Sequence, residues 1–117
     1  MRAAEAYPLR FAPVYKQAIW GGGRIAARYA RSGAPAPCAE SWEIAAHADG
    51  DGVLLNGPWS GATLAALTRA QGRDLLGTAA PEAHRFPLLC KIIDARECLS
   101  LQVHPNARAA ARGGGEP

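Results

Sequence analysis

The chain has 117 residues and a formal net charge of +3, from 13 basic and 10 acidic side chains. Of its residues 49% count as hydrophobic, but 26 of those 57 are alanine, and the longest apolar runs fall far short of the roughly 20 residues that a membrane span needs. The length suits one domain or part of a larger one, and the scattered arginines lack the clustering of a nucleic-acid surface. We therefore expect neither a membrane partner nor a nucleic-acid partner.

The N-terminus and the cysteines indicate a cytoplasmic protein. The first eight residues contain Glu5 and Pro8 and lack the apolar run of a signal peptide. Cys38, Cys90 and Cys98 are odd in number and form no C-x-x-C pair. A disulfide framework is therefore not expected, and a reducing compartment is the default.

The first third of the chain predicts an extended arm, a short helix and a loop. Leu9 to Tyr15 alternates apolar with other residues and contains Pro13, which is typical of an edge strand or an extended arm. After three glycines, residues 24–30 are rich in alanine and arginine and predict a short helix. Two prolines and a glycine predict a loop over residues 32–39.

The next segment predicts a strand and a hairpin. Residues 48–52 form a turn-rich stretch, so Glu40 to His47 and Val53 to Leu55 are expected to pair. Side chains two apart on a strand share a face. One face then holds Glu40, Trp42, Ile44 and Ala46, and the other holds Ser41, Glu43, Ala45 and His47.

The middle of the chain predicts two short helices. Thr63 is a suitable N-cap for a helix over residues 64–70, with Leu64 and Leu67 as its buried stripe. Asp74 to Gly77 predicts one further helical turn that a glycine closes.

The C-terminal part predicts two more strands and a capped helix. Phe86 to Ile93 is nearly all apolar and is expected to be a strand buried on both faces. Leu99 to His104 alternates and predicts a strand, and Asn106 can cap an alanine-rich helix. Short strands joined by glycine-rich turns favour a mainly β domain with small helical insertions.

The polar face of the last predicted strand holds a candidate metal-ligand pair. Gln102 and His104 lie two residues apart, so both side chains can reach one point. Zinc takes three or four protein ligands, so this pair is incomplete by itself. A polar strand face directed to solvent explains the same pattern, and the two readings stay open at this level.

Lys91 is unusual because it lies in the most apolar stretch of the chain. A charged amine there needs a partner or a substrate anion, unless it points to water from an edge strand. Glu40 and Glu43 are the close pair of carboxylates, but three residues apart on a strand they point to opposite faces. His47, at a strand end before a turn, is interpreted as structural.

Taken together, these segments resemble the opening of type I mannose-6-phosphate isomerases. The likeness runs in order through nearly the whole chain, and the Q-x-H-P strand is its most specific part. The matching segments are Tyr7 to Leu9, Pro13 to Lys16, Ile19 to Gly22, Glu40 to Glu43, Asn56 to Pro58, Phe86 to Leu89, Lys91, Asp94 to Ala95, and Leu99 to Pro105.

The resemblance implies a zinc-dependent cupin, a β-barrel of the jelly-roll type that interconverts mannose 6-phosphate and fructose 6-phosphate. It makes Gln102 and His104 two of the four ligands of one Zn²⁺ ion. It makes Lys91 and Glu40 the catalytic candidates, and Trp20, Ser100 and Lys91 the residues that line the sugar-phosphate site.

The family pattern also extends beyond this sequence. A G-K-T-E-x-W-Y segment is expected soon after Q-x-H-P, with the third ligand and a second lysine, and a later histidine and arginine complete the site. None of these follows before Pro117. We therefore expect an incomplete barrel: residues 1–112 as the N-terminal part of the catalytic cupin domain, residues 113–117 as a flexible end, and the missing C-terminal portion as a partner.

On this hypothesis the 117-residue chain is inactive alone. The alternatives are a non-catalytic cupin fragment that binds a sugar phosphate or a partner chain, and an unrelated small β domain.

Overall fold

The computed structural model describes residues 7–113. Within that range the chain forms short strands and short helices that alternate irregularly. The strands are β1 (Val14–Lys16), β2 (Glu40–Ile44), β3 (Ala46–His47), β4 (Gly50–Asp51) and β5 (Cys90–Ile93). The helices are α1 (Arg24–Arg28), α2 (Leu64–Gln71), α3 (Arg73–Leu76) and α4 (Ala107–Gly113).

The main sheet has three antiparallel strands in the order β1-β2-β5. Lys16 lies opposite Glu40 between β1 and β2, and Trp42 lies opposite Lys91 between β2 and β5. The central strand β2 therefore brings residues from both ends of the chain together. The register between β2 and β5 shifts between Trp42 and Ile44, near the end of β2.

The predicted hairpin between residues 40–47 and residues 53–55 does not form, and a shorter hairpin takes its place. Strand β3 pairs directly with β4 across a two-residue turn, with Ala46 opposite Asp51. Val53 and Leu54 instead make isolated bridges to other segments. Gly50 permits the close packing of this hairpin, because a Cβ there would lie 3.0 Å from the Trp42 ring and from Val14. The hairpin thus covers one side of Trp42.

Helix α2 contributes two leucines to the buried core, and the sequence predictions for it are confirmed. Thr63 caps the helix by accepting a hydrogen bond from the Ala66 backbone N–H at 3.2 Å. Leu64 and Leu67 are both buried, together with Leu54. Fully burying such a leucine contributes roughly 1.5–3 kcal/mol. The short helix after the three glycines and the helical turn closed by Gly77 also form as predicted.

The prediction for residues 86–93 was wrong in two respects. The strand covers the last four residues alone, and most of its side chains are exposed rather than buried on both faces. Leu88 is 61% exposed and Ile93 is 49% exposed. Strand β5 pairs with β2 along one edge, and no second strand among the described residues covers its other edge.

The predicted strand over residues 99–104 does not form. That segment has no regular secondary structure, and Leu101 and Val103 are 97% and 87% exposed. An alternating sequence becomes a strand only when a neighbouring edge pairs with it, and no described strand does so. The described strands therefore make an open sheet and a hairpin rather than a closed barrel.

The C-terminal helix α4 is capped as predicted. The Asn106 side chain accepts a hydrogen bond from the Ala109 backbone N–H at 2.9 Å. Of the predicted flexible end, Gly113 closes this helix, and residues 114–117 lie outside the described range. Over the part of the chain that is described, no helix has the length and apolar character of a membrane span.

Candidate active site

One face of the sheet gathers a polar cluster around a tryptophan. Lys16 comes from β1, Glu40 and Trp42 from β2, and Lys91 from β5, and we call these four residues the Trp42 cluster. Glu40 and Trp42 are two apart on one strand, so they share a face. The cross-strand register then sets Lys16 beside Glu40 and Lys91 beside Trp42.

Glu40 is the acceptor at the centre of this cluster. The Trp42 indole N–H donates to Glu40 Oε2 at 2.7 Å, and Lys91 Nζ donates to Oε1 at 3.0 Å. The side chain of Glu40 is 17% exposed and that of Lys91 is 33% exposed. Lys91 is therefore neither stranded in an apolar layer nor simply directed to water, because a carboxylate pairs with it.

The pKa of Glu40 is lowered from its ordinary value by its neighbours. Burial acts in the opposite direction, since it penalises the charged form and raises the pKa. The hydrogen bonds from Trp42 and Lys91 lower the pKa, and the charges of Lys91 and Lys16 lower it further. Their sum outweighs burial, so Glu40 is an ionised carboxylate at neutral pH.

The Trp42 ring is buried and in contact with charged and aromatic neighbours. Lys16 Nζ lies 4.5 Å from the ring centroid, and Lys91 Nζ lies 5.9 Å from it. The His47 ring meets the indole edge-on, with centroids 5.7 Å apart. Lys16 Nζ also donates a hydrogen bond to the Asp49 backbone carbonyl. Ammonium groups at such distances are attracted to the negative face of an aromatic ring.

A second polar cluster comprises Ser41, Glu43 and Arg31. Arg31 donates to both oxygens of Glu43, at 2.6 and 2.8 Å, and to Ser41 Oγ at 2.7 Å. The Ser41 hydroxyl in turn donates to Glu43 at 2.6 Å. Glu40 and Glu43 thus serve separate clusters, as the strand alternation predicted. The hydrogen bond from Arg31 is the largest influence that lowers the pKa of Glu43.

Arg31 was missed at the sequence level. It lies between the predicted helix over residues 24–30 and the predicted loop over residues 32–39, and nothing local to residue 31 points to Glu43. Asp94 was also missed as a structural residue. It is buried, and its Oδ2 accepts a hydrogen bond from the Arg24 backbone N–H at 2.6 Å. An acidic residue directly after an apolar strand was the available signal.

Asp94 fixes the segment that carries Trp20. The Gly22 backbone N–H donates to the Asp94 carbonyl at 3.2 Å, and the Arg96 backbone N–H donates to the Trp20 carbonyl at 2.8 Å. Trp20 therefore lies beside the end of β5, on the side of the sheet where residues 94–96 leave it.

The remaining predicted site residues are not brought into the Trp42 cluster by regular structure. Ser100, Gln102 and His104 are exposed and lie outside strands and helices. His104 borders a cavity of about 500 Å³ whose lining also includes His47, Glu82 and Arg85. Over residues 7–113 there is no group of three or more His, Cys, Asp and Glu side chains that could hold a metal ion. The predicted pair of ligands is therefore incomplete, and these residues do not by themselves fit a zinc ion.

The motifs and the polar cluster on the sheet are those expected of a sugar-phosphate isomerase, and comparison with known proteins identifies the family. The family model described as the type I phosphomannose isomerase catalytic domain matches residues 9–113. The chain therefore belongs to that family, and the resemblance inferred from its motifs is confirmed.

Individual relatives agree with this assignment. The chain is 44% identical over 99 residues to "Mannose-6-phosphate isomerase ManA" of Bacillus subtilis, a match that covers 85% of this chain and 30% of that protein. It is 37% identical over 111 residues to the mannose-6-phosphate isomerase of Streptococcus mutans, with 95% and 34% covered.

A solved structure supports the same fold. The crystal structure of the mannose 6-phosphate isomerase from Bacillus subtilis matches with a TM-score of 0.82 and 36% identity, over 92% of this chain and 33% of that one. The chain thus spans about a third of the length of the relatives that it matches.

Proposed function

We propose that this chain supplies the N-terminal third of a mannose-6-phosphate isomerase, which interconverts mannose 6-phosphate and fructose 6-phosphate. The observation that carries the proposal is the Glu40–Lys91 pair that joins β2 and β5. These are the two residues that the family resemblance assigned to catalysis. Membership of the isomerase family, matched over residues 9–113, gives that pair its context.

The reaction moves a proton between neighbouring carbons of the sugar through an enediol. Negative charge develops on oxygen during that step, and a fixed cation stabilises it. The Lys91 ammonium is held by Glu40 at 3.0 Å and is suited to this task or to binding the phosphate group. Both roles need the positive charge and a fixed position.

Glu40 is better suited to orienting Lys91 than to transferring the proton. A general base works best with a pKa near the working pH. The neighbours of Glu40 move its pKa in the other direction, below the ordinary glutamate range. We therefore assign to Glu40 the task of keeping Lys91 in place and accepting a hydrogen bond from a sugar hydroxyl.

Trp20 and Ser100 enter the proposal as residues that line the sugar-phosphate site, and Gln102 and His104 as two of four ligands of a zinc ion. Their support is the match of the motifs, because over residues 7–113 no group of three or more His, Cys, Asp and Glu side chains could hold a metal ion. No step of the proposed reaction is therefore derived through the metal.

The partner of this chain is proposed to be the remaining part of an isomerase domain, which would complete the cupin barrel. The unpaired edge of β5 and the exposed apolar side chains on either side of β5 in the sequence are surfaces that a partner would cover. Leu88, Leu101 and Val103 are 61%, 97% and 87% exposed. The relatives are about three times as long as the chain, so they contain enough additional sequence to supply one.

A chimera tests the proposal. The 117-residue chain would be joined to the part of the Bacillus subtilis isomerase ManA that follows its matched region, and the conversion of mannose 6-phosphate to fructose 6-phosphate would be measured. We expect the chimera to be active and the chain alone to be inactive. Lys91→Met should lower kcat/KM about 100-fold or more, as expected for the loss of a charge-stabilising donor.

Arg96→Met is the matched control, because Arg96 is also a cation near the end of β5 but is 67% exposed and pairs with its neighbour Glu97. It should leave kcat/KM within about twofold of the parent chimera. A folded chimera that binds zinc and mannose 6-phosphate but does not turn it over would contradict the proposal, and would favour a non-catalytic binding fragment.

A further inference from the structure

Trp42 connects every member of the cluster on the sheet face. Its N–H donates to Glu40, and its ring lies within 6 Å of the ammonium groups of both lysines that the sequence contains. None of the family motifs assigned it a task. Its contacts include Glu40 and Lys91, the two side chains that carry the proposed function, and it is itself 8% exposed, so it has little surface to offer a substrate.

We propose that Trp42 is the positioning residue of Glu40: its indole N–H fixes one carboxylate oxygen, so that the other oxygen stays paired with Lys91. The proposal rests on the proposed function, because it gives Trp42 a role in a site defined by Glu40 and Lys91. The carboxylate would otherwise be free to rotate about its side-chain torsions and leave the lysine.

The ring that carries this N–H is held from several directions. Lys16 lies at 4.5 Å from its centroid and is itself tied to the Asp49 carbonyl. His47 meets its edge, and Gly50 brings the hairpin backbone against it. The hairpin and strand β1 thus fix the indole orientation. A donor held in this way loses little entropy when it binds the carboxylate.

The groups that face Glu40 come from each element packed against it. Lys91 belongs to β5, Lys16 to β1, and Trp42 to the same strand as Glu40. Without the indole N–H, one oxygen of a carboxylate that is 17% exposed loses its donor. The penalty of burial on the charged form is then offset by one hydrogen bond fewer, and the Glu40 pKa should rise toward its ordinary value.

The wild-type chain provides the first test. The sequence contains three tryptophans, so a ¹⁵N spectrum should show three indole N–H signals that can be followed with pH. We expect the Trp42 signal to titrate in step with the Glu40 side-chain carboxyl and to stop titrating in Glu40→Gln. A Trp42 indole signal whose chemical shift changes neither with pH nor on Glu40→Gln would overturn the proposal.

A pair of matched variants provides the second test. Trp42→Phe keeps an aromatic ring but removes the N–H, and Trp59→Phe makes the same change in a loop where the indole stacks on Tyr7 instead. The Glu40 pKa, measured from its side-chain carboxyl carbon, should rise in Trp42→Phe and stay unchanged in Trp59→Phe. An unchanged Glu40 pKa in a folded Trp42→Phe chain would also overturn the proposal.

The two proposals fail separately. If Trp42→Phe does not fold, the wild-type titration alone decides the role of Trp42. An inactive chimera with a normal Trp42–Glu40 titration would contradict the proposed function and leave the positioning role intact. An active chimera in which Trp42 does not respond to Glu40 would do the reverse.

Discussion

Loss of the Arg31–Glu43 pair should destabilise the fold by an amount that separates it from an ordinary surface ion pair. Arg31 holds both carboxylate oxygens at 2.6 and 2.8 Å, and the side chains are 23% and 30% exposed. Hydrogen bonds to charged groups contribute about 1.5–3 kcal/mol, whereas exposed ion pairs contribute about 0.2–1 kcal/mol. At this intermediate exposure we expect a coupling energy of about 1–2 kcal/mol.

A double-mutant cycle with Arg31→Met and Glu43→Gln measures that coupling, with the free energy of unfolding taken from urea titrations at pH 7. The matched control is the same cycle on Arg96 and Glu97, which pair at 2.9 Å but are 67% and 57% exposed. The control coupling should stay below about 0.5 kcal/mol. The reasoning is refuted if the Arg31–Glu43 coupling is no larger than that of the control pair.

Two further predictions concern backbone packing and pH. Gly21→Ala should cost about 1–3 kcal/mol of stability in thermal or urea unfolding, because its Cβ would lie 2.7 Å from the Ala39 backbone nitrogen. The control is Gly23→Ala, whose Cβ would meet no atom within 4 Å, and it should change the stability by less than about 0.5 kcal/mol. Equal effects of the two substitutions would contradict the close packing at Gly21. The folded-state pKa values of Glu40 and Glu43 are both lowered, so their stabilisation is present above the unfolded pKa of about 4.3 and is lost as the pH falls through the lower folded values. Urea titrations from pH 7 down to pH 3 should therefore show a loss of stability that is shallower in Glu43→Gln, and a stability independent of pH would refute this.

The sequence predicted those features that depend on residues a few positions apart. Thr63 caps α2 because its side chain reaches an N–H three residues ahead, and the alternation of β2 separates Glu40 from Glu43 because a strand repeats every two residues. The family motifs drew attention to Glu40 and Lys91, which form an ion pair although 51 positions separate them.

The contacts that position the site depended on pairing between distant segments. Periodicity places Trp42 and Glu40 on one face, but the approach of Lys16 requires the register of β1 on β2, and the contact of the hairpin with Trp42 requires the pairing of β3 with β4. Arg31 reaches Glu43 from a loop whose path the sequence did not indicate. Residues 99–104 failed as a predicted strand for the complementary reason: alternation alone provides no neighbouring edge.

The central claim is that Glu40 and Lys91 act as one unit of an isomerase site. In the chimera with the C-terminal part of the Bacillus subtilis enzyme, kcat/KM would be measured for Glu40→Gln, Lys91→Met and the double variant. Residues that act as a unit are strongly non-additive. The account predicts that each single change lowers kcat/KM by about 100-fold or more and that the double variant is scarcely worse than either. Two losses that multiply, or an activity that neither substitution changes, would contradict it.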